Sequence, residues 1–160
     1  RAESSKIQTY IIEPELFNSK KAFDSELISI IDQHEAELII LAGYMRILTP
    51  LFVSHYFGKI INIHPSLLPK FPGLNTHQKA IAASEKKHGV SVHFVTEKLD
   101  GGPVISQASV IIESIDTPKT LSDKVLKKEH IIYPKVIHWY TQRRLELINN
   151  LTVTLDGKII

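Results

Sequence analysis

The feature that most constrains the fold is an alternation between positions 37 and 63. Glu37-Leu38-Ile39-Ile40-Leu41-Ala42-Gly43 is a nearly continuous apolar run closed by a glycine, the pattern of a strand buried on both faces of a parallel sheet. Thr49-Pro50 then supplies a cap and a first-turn proline for a short helix reaching about Tyr56, and Lys59-Ile60-Ile61-Asn62-Ile63 returns to strand composition. Strand, helix and strand in so short a span predict a crossover connection. The expected class is therefore α/β, with a mainly parallel twisted sheet flanked by helices.

The remaining elements follow from periodicity and turn chemistry. Ile7 to Ile12 alternates as a short strand stopped by Pro14, and Asn18 or Ser19 caps a helix whose apolar face is Phe23, Leu27, Ile30 and Ile31, ending near His34. Asn75 or Thr76 starts a helix over His77 to Glu85, and Ser91 to Val95 reads as a strand. The segment Lys98-Leu99-Asp100-Gly101-Gly102-Pro103 breaks all periodicity, after which Val104 to Ile112 resumes as a strand. Thr117-Pro118 opens a long helix with Leu121, Val125, Ile132, Val136 and Trp139 on its buried stripe and a kink expected at Pro134. At the end, Leu151 to Ile160 alternates around Asp156-Gly157 as a C-terminal β-hairpin. A chain of 160 residues accommodates one domain with a real core, so 1–160 is read as a single unit.

Composition excludes several functions. The formal charge is +2, and the cations fall in pairs such as Lys86-Lys87, Lys127-Lys128 and Arg143-Arg144, which argues against a nucleic-acid partner. There is no cysteine, hence no disulfide and no thiolate chemistry. No apolar run approaches the length of a membrane span and no signal peptide opens the sequence, so the expected setting is cytoplasmic, without a membrane partner. Among eight histidines none shows His-x-His or His-x-x-x-His spacing, so no metal is expected. His34, His55, His88 and His138 read as surface or helix-end residues. Ser66 lies outside any Gly-x-Ser-x-Gly elbow, and no covalent intermediate is implied.

Chemistry concentrates where the 59–63 strand stops. Pro65, Pro69, Pro72 and Gly73 forbid regular structure beyond His64, because proline fixes φ and lacks a donor. Asn62 and His64, two apart, project to one face at the carboxyl end of a strand, where open α/β sheets bind ligands. An amide donor beside an imidazole suits a developing oxyanion and a moving proton; equally, such residues serve as ordinary turn and hydrogen-bond groups. Asp100-Gly101-Gly102, just past the strand carrying His93, has the same two readings. Its carboxylate can orient a histidine or take a proton through water, and Asp-Gly-Gly is also simply a good turn.

Taken together, Asn62-Ile63-His64-Pro65-Ser66-Leu67-Leu68-Pro69, Phe71-Pro72-Gly73, Ser91-Val92-His93-Phe94-Val95 and Leu99-Asp100-Gly101-Gly102-Pro103 resemble the folate-dependent formyltransferase family. The likeness extends to Leu41-Ala42-Gly43-Tyr44-Met45-Arg46-Ile47-Leu48 and Glu129-His130-Ile131-Ile132-Tyr133-Pro134. It implies a Rossmann-like formyltransferase fold. It also implies formyl transfer from 10-formyltetrahydrofolate, as co-substrate and without metal, to the amine of 5′-phosphoribosylglycinamide in purine synthesis, since Lys70 to His77 resembles the branch acting on that nucleotide. Asn62, His64 and Asp100 would be catalytic. Met45, Arg46, Ile47, Leu48, Val95, Thr96 and Glu97 would border the folate, with Arg46 suited to a carboxylate, and Gly43, Ile63, Pro65 and Glu129 would meet the second substrate.

The same resemblance implies a strand, a glycine-rich phosphate loop and a second strand that this sequence does not contain, so the chain is expected to be N-terminally incomplete. Arg1 to Ser5 reads accordingly as the tail of a helix. The partners implied are the two small molecules, with the protein a monomer or homodimer. Two alternatives use the same residues: hydrolysis of formyltetrahydrofolate to formate, and a non-catalytic folate- or nucleotide-binding module.

Overall fold

Four strands form the main sheet of the protein, a computed structural model that describes residues 1–149 and 151–160. They are β1 (Ile39–Leu41), β2 (Ile60–His64), β3 (Lys87–Phe94) and β4 (Val104–Ile111), in the spatial order β1-β2-β3-β4. Around them lie α1 (Lys20–Gln33), α2 (Pro50–His55), α3 (Thr76–Ala82) and the long α4 (Pro118–Thr141). The α/β class and the flanking helices are as expected, but the sheet is mixed. β1 and β2 are parallel, joined through α2, while β2–β3 and β3–β4 are antiparallel. The expectation of a mainly parallel sheet, drawn from the strand–helix–strand pattern at positions 37–63, holds for β1 and β2 and not for the strands that follow. Instead the 95–103 segment returns the chain as a hairpin.

Ile60 and Ile61 are adjacent on β2 and therefore face opposite ways. Ile61 joins Val90, Val92 and Phe94 of β3 with Leu121, Val125, Ile132, Tyr133 and Val136 of α4 in one core. Ile60 packs with Leu48, Phe52, Val53 and Tyr56 against Leu27, Ile28 and Ile31 of α1 in the other. Both faces of the centre of the sheet are thus covered. Tyr133 ties α4 to the sheet edge, its hydroxyl donating to the carbonyls of Leu41 (2.7 Å) and Ile61 (3.1 Å).

Local chemistry explains the helix starts. The Ser19 hydroxyl accepts from Ala22 N, and Thr49 and Thr117 cap α2 and α4 ahead of Pro50 and Pro118. Thr49 is itself held by the buried Asp24, which accepts from its N–H (2.7 Å) and hydroxyl (2.6 Å). α4 runs without interruption through Pro134.

Several expectations are corrected. Ile7 to Ile12 forms no strand and Ile11 is exposed, while Pro14–Leu16 is a single 3-10 turn. Glu3–Ser5 is likewise a 3-10 turn. β1 spans only Ile39–Leu41 and is not buried on both faces, Ile40 being exposed on a strand that pairs with β2 alone among the described residues. β3 begins at Lys87, well before Ser91, because its first residues pair with Ile111 and Val110 of β4. The Asp156-Gly157 hairpin joins β6 (Val153–Leu155) to β7 (Lys158–Ile159), and β5 (Leu145–Leu147) completes a small three-stranded sheet. No helix among the described residues is long and apolar enough to cross a membrane.

Candidate active site

β2 and β3 deliver their polar residues as a registered pair. Asn62 lies opposite His93, and His64 opposite Ser91, so antiparallel pairing brings Asn62 and His93 side by side on one face. Asn62 Nδ2 is 3.2 Å from His93 Nε2. Immediately after β3, the 95–103 loop turns back on a Lys98–Gly101 hydrogen bond, with Asp100 in the left-handed region at φ 46°. That conformation is uncommon outside glycine, although Asp tolerates it better than most residues.

The Asp100 carboxylate lies at the junction. Its Oδ2 accepts from Gly73 N at 2.8 Å and stands 3.5 Å from His64 Nδ1, while Oδ1 is 3.9 Å from His93 Nε2. One side chain therefore links the proline-rich loop, the end of β2 and the end of β3. Asn62, His64 and Asp100, taken from two separate stretches of sequence, converge in space. His64 is buried, and its Nε2–H donates to the Phe71 carbonyl at 2.9 Å. Both of its ring nitrogens are consequently engaged, one by a backbone carbonyl and one facing a carboxylate.

The proline-rich loop is held from beneath by a polar network. Ser91 Oγ accepts from Leu68 N (3.0 Å) and Gln107 Nε2 (2.8 Å) and donates to Ser66 O (2.7 Å). Ser66 and Ser91 are both fully buried. A buried hydroxyl with every bond satisfied fixes the loop that carries Phe71 and Gly73 onto His64 and Asp100.

A cleft opens beside this junction. Its walls include Asn62, His93 and Asp100 together with Leu41, Tyr44, Arg46, Ile47, Leu48 and the run from Val95 to Leu99. Of the expected folate neighbours, Arg46, Ile47, Leu48, Val95, Thr96 and Glu97 line it. Met45 does not: between Tyr44 and Arg46, which both line the cleft, its side chain projects into solvent, 77% exposed. Gly43, Ile63, Pro65 and Glu129 lie outside this cleft, as does His64, which stands behind Asp100. Glu129 on α4 is half-buried; burial raises its carboxyl pKa, and the nearby His130 and His64 imidazoles oppose the shift.

Two cleft groups are chemically open. The Tyr44 hydroxyl is buried and has no hydrogen-bond partner among the described residues, and burial followed by the charge of Asp24 pushes its pKa up. Arg46 sits 5.0 Å over the Phe23 ring and meets no carboxylate among the described residues. No group of metal-ligating side chains occurs among the described residues.

An amide, an imidazole and a carboxylate line the cleft, with the His64 imidazole behind the carboxylate, and comparison with known proteins adds to that geometry. The formyl transferase family model matches residues 1–137. The chain belongs to the formyl transferase family. Formyl transferases acting in this way use a folate-derived co-substrate. Among relatives, the phosphoribosylglycinamide formyltransferase of Escherichia coli (strain K12) is 48% identical over 158 residues, covering 99% of this chain and 74% of that protein. That of Haemophilus influenzae is 43% identical over 160 residues, covering 100% of this chain and 75% of the relative. The solved phosphoribosylglycinamide formyltransferase of Coxiella burnetii superposes with a TM-score of 0.95 at 53% identity, covering 99% of this chain and 74% of that one.

His93, Tyr44 and Leu41 are among the cleft residues to which sequence reasoning gave no role. For His93 a signal existed: it ends a strand next to Asp100. Its proximity to Asn62 depends on a pairing between positions 31 apart, which no local pattern encodes.

Proposed function

We propose that this chain transfers a formyl group from 10-formyltetrahydrofolate to the amine of 5′-phosphoribosylglycinamide, the purine-synthetic reaction named for its relatives. The observation that carries the reading is the junction of Asn62 and Asp100 at the cleft mouth, backed by His64. The substrate amine attacks the formyl carbon, the carbonyl oxygen takes up negative charge, and collapse breaks the bond to the folate nitrogen, which receives a proton as the amine loses one. Asn62 offers an amide N–H to the oxyanion. A donor of this kind is typically worth about 3 kcal/mol of barrier.

Asp100 Oδ1, which accepts no hydrogen bond from the described residues, faces the cleft as an acceptor for the amine proton through water. His64 stands behind Asp100, its Nδ1 3.5 Å from Oδ2, and helps to hold the carboxylate in place. To reach the reacting oxygen it must exchange the Phe71 carbonyl for the substrate. The buried Tyr44 hydroxyl and the Arg46 guanidinium, which meets no carboxylate among the described residues, suit a ligand with a polar ring edge and a carboxylate, as a folate has. Glu129 and the backbone near Gly43, Ile63 and Pro65 would meet the ribonucleotide. A cysteine-free chain acting on small, water-soluble reactants suits the cytoplasm.

Incubation with both substrates, followed by separation of formylated amine from formate, tests the reaction. Formylated product is expected, and formate alone would make the protein a hydrolase. His64→Ala should lower kcat by about 100- to 1,000-fold in a folded protein; near-normal turnover would remove His64 from the mechanism. Asp100→Asn should slow turnover and alter its pH profile, and an unchanged profile would leave Asp100 only its role in the turn.

A further inference from the structure

His93 is nearly closed off from solvent, 2% exposed, at the point where β3 ends, and each of its ring nitrogens has a partner. Nδ1 is 2.9 Å from the Phe94 carbonyl. A carbonyl oxygen only accepts, so Nδ1 carries the proton. Burial, the largest influence, lowers the imidazole pKa, as does His64, with the Phe94 carbonyl and Asp100 opposing, and the ring is accordingly neutral near pH 7. A neutral imidazole with its proton on Nδ1 presents a lone pair at Nε2.

Nε2 lies 3.2 Å from the Asn62 side-chain nitrogen. Because Nε2 can only accept, the Asn62 amide must turn its NH2 group, not its oxygen, toward His93. One amide N–H is spent on the imidazole; the second remains for a ligand in the cleft that Asn62 lines. The same lone pair keeps His93 from bonding Asp100 Oδ1, 3.9 Å away, which stays open to the cleft. The opposite tautomer would donate from Nε2, draw the amide oxygen of Asn62 inward and compete for the Asp100 carboxylate.

We propose that His93 is a positioning residue for formyl transfer: held as the Nδ1–H tautomer by the Phe94 carbonyl, it locks the Asn62 amide with an N–H donor aimed at the oxyanion. The assignment rests on the formyl-transfer reading for its consequence in catalysis, while the tautomer itself is measurable without any turnover.

Two-bond 15N–1H correlation of the imidazoles in the full, unsubstituted chain, with His93→Gln identifying the resonance, reads the tautomer directly. The expected spectrum shows His93 Nδ1 protonated and Nε2 at an unprotonated shift from pH 6.5 to 8. A protonated Nε2 in that range overturns the proposal. In kinetics, His93→Leu should lower kcat about 10- to 100-fold, a part of what one oxyanion donor supplies, with KM for the formyl donor within about twofold. His93→Gln, whose side-chain oxygen can still accept from Asn62, should recover most of the loss. In an Asn62→Ala background His93→Leu should cost little more, because the two act as one unit; independent, multiplying losses would show that His93 acts by another route. Should no form of the protein transfer formyl groups, the functional reading fails, and the spectrum still decides the tautomer.

Discussion

His88 shows how a single side chain couples the stability of this fold to pH. The residue is 1% exposed, and its Nε2 faces His77 Nδ1 at 3.1 Å. Burial first, then the His77 ring, with His64 adding and the Pro65 carbonyl and Glu85 opposing, lower its pKa to about 4. In the unfolded chain it titrates near its ordinary 6.5. Between those values the unfolded state binds a proton that the native state refuses. The stabilisation is therefore complete above about pH 6.5 and is lost as pH falls toward 4, by on the order of 3 kcal/mol. Urea unfolding at pH 7 and pH 4.5 should show a larger loss for the native chain than for His88→Gln, and parallel losses would exclude His88 as the cause. Its burial was not legible locally, since Lys86-Lys87-His88 reads as a solvated run until β3 pairs with β4 over it.

Among the elements, the turn joining β3 to β4 carries the tightest constraint. A Cβ at Gly102 would lie 1.9 Å from the Phe94 carbonyl oxygen, the same oxygen that accepts from His93 Nδ1. One at Gly101 would have as its nearest neighbours Cβ, Cγ and Cδ of Lys98, side-chain carbons rather than backbone. Gly102→Ala should therefore destabilise the protein by about 1–3 kcal/mol and reduce turnover as His93 loses its acceptor, while Gly101→Ala does much less. Thermal midpoints and kcat of the two variants, measured side by side, check this, and equal behaviour would refute the close-contact argument. The Gly-Gly pair was visible in the sequence as a turn. Its coupling to an imidazole was not, because the carbonyl concerned belongs to a residue eight positions earlier.

Across the whole molecule, α4 is the brace that keeps the sheet in register. Leu121, Val125 and Val136 are fully buried in the core that α4 forms with β3 and β4, and the Tyr133 hydroxyl reaches the carbonyls of Leu41 on β1 and Ile61 on β2. Leu121→Ala should cost about 2–5 kcal/mol of folding free energy through transfer and cavity terms. Tyr133→Phe should cost about 1 kcal/mol as hydrogen bonds to Leu41 and Ile61 are lost. Denaturant midpoints of both variants provide the measurement; a Leu121→Ala protein as stable as its parent would contradict the packing described.

Local rules in the sequence determined the helix caps at Ser19, Thr49 and Thr117, the buried stripe of α4, the Asp156-Gly157 turn and the stop of β2 at His64, since each depends on residues a few positions apart. Asn62, His64 and Asp100 stood out locally as polar groups where regular structure ends, which left them equally readable as turn residues; only the family resemblance singled them out as a candidate catalytic set. Tertiary structure alone decided the antiparallel pairing of β2 with β3, the burial of His88, the exposure of Met45 and the meeting of Asn62 with His93. Those outcomes depend on contacts between residues distant in the chain, where burial and hydrogen-bond satisfaction, rather than propensity, select the arrangement.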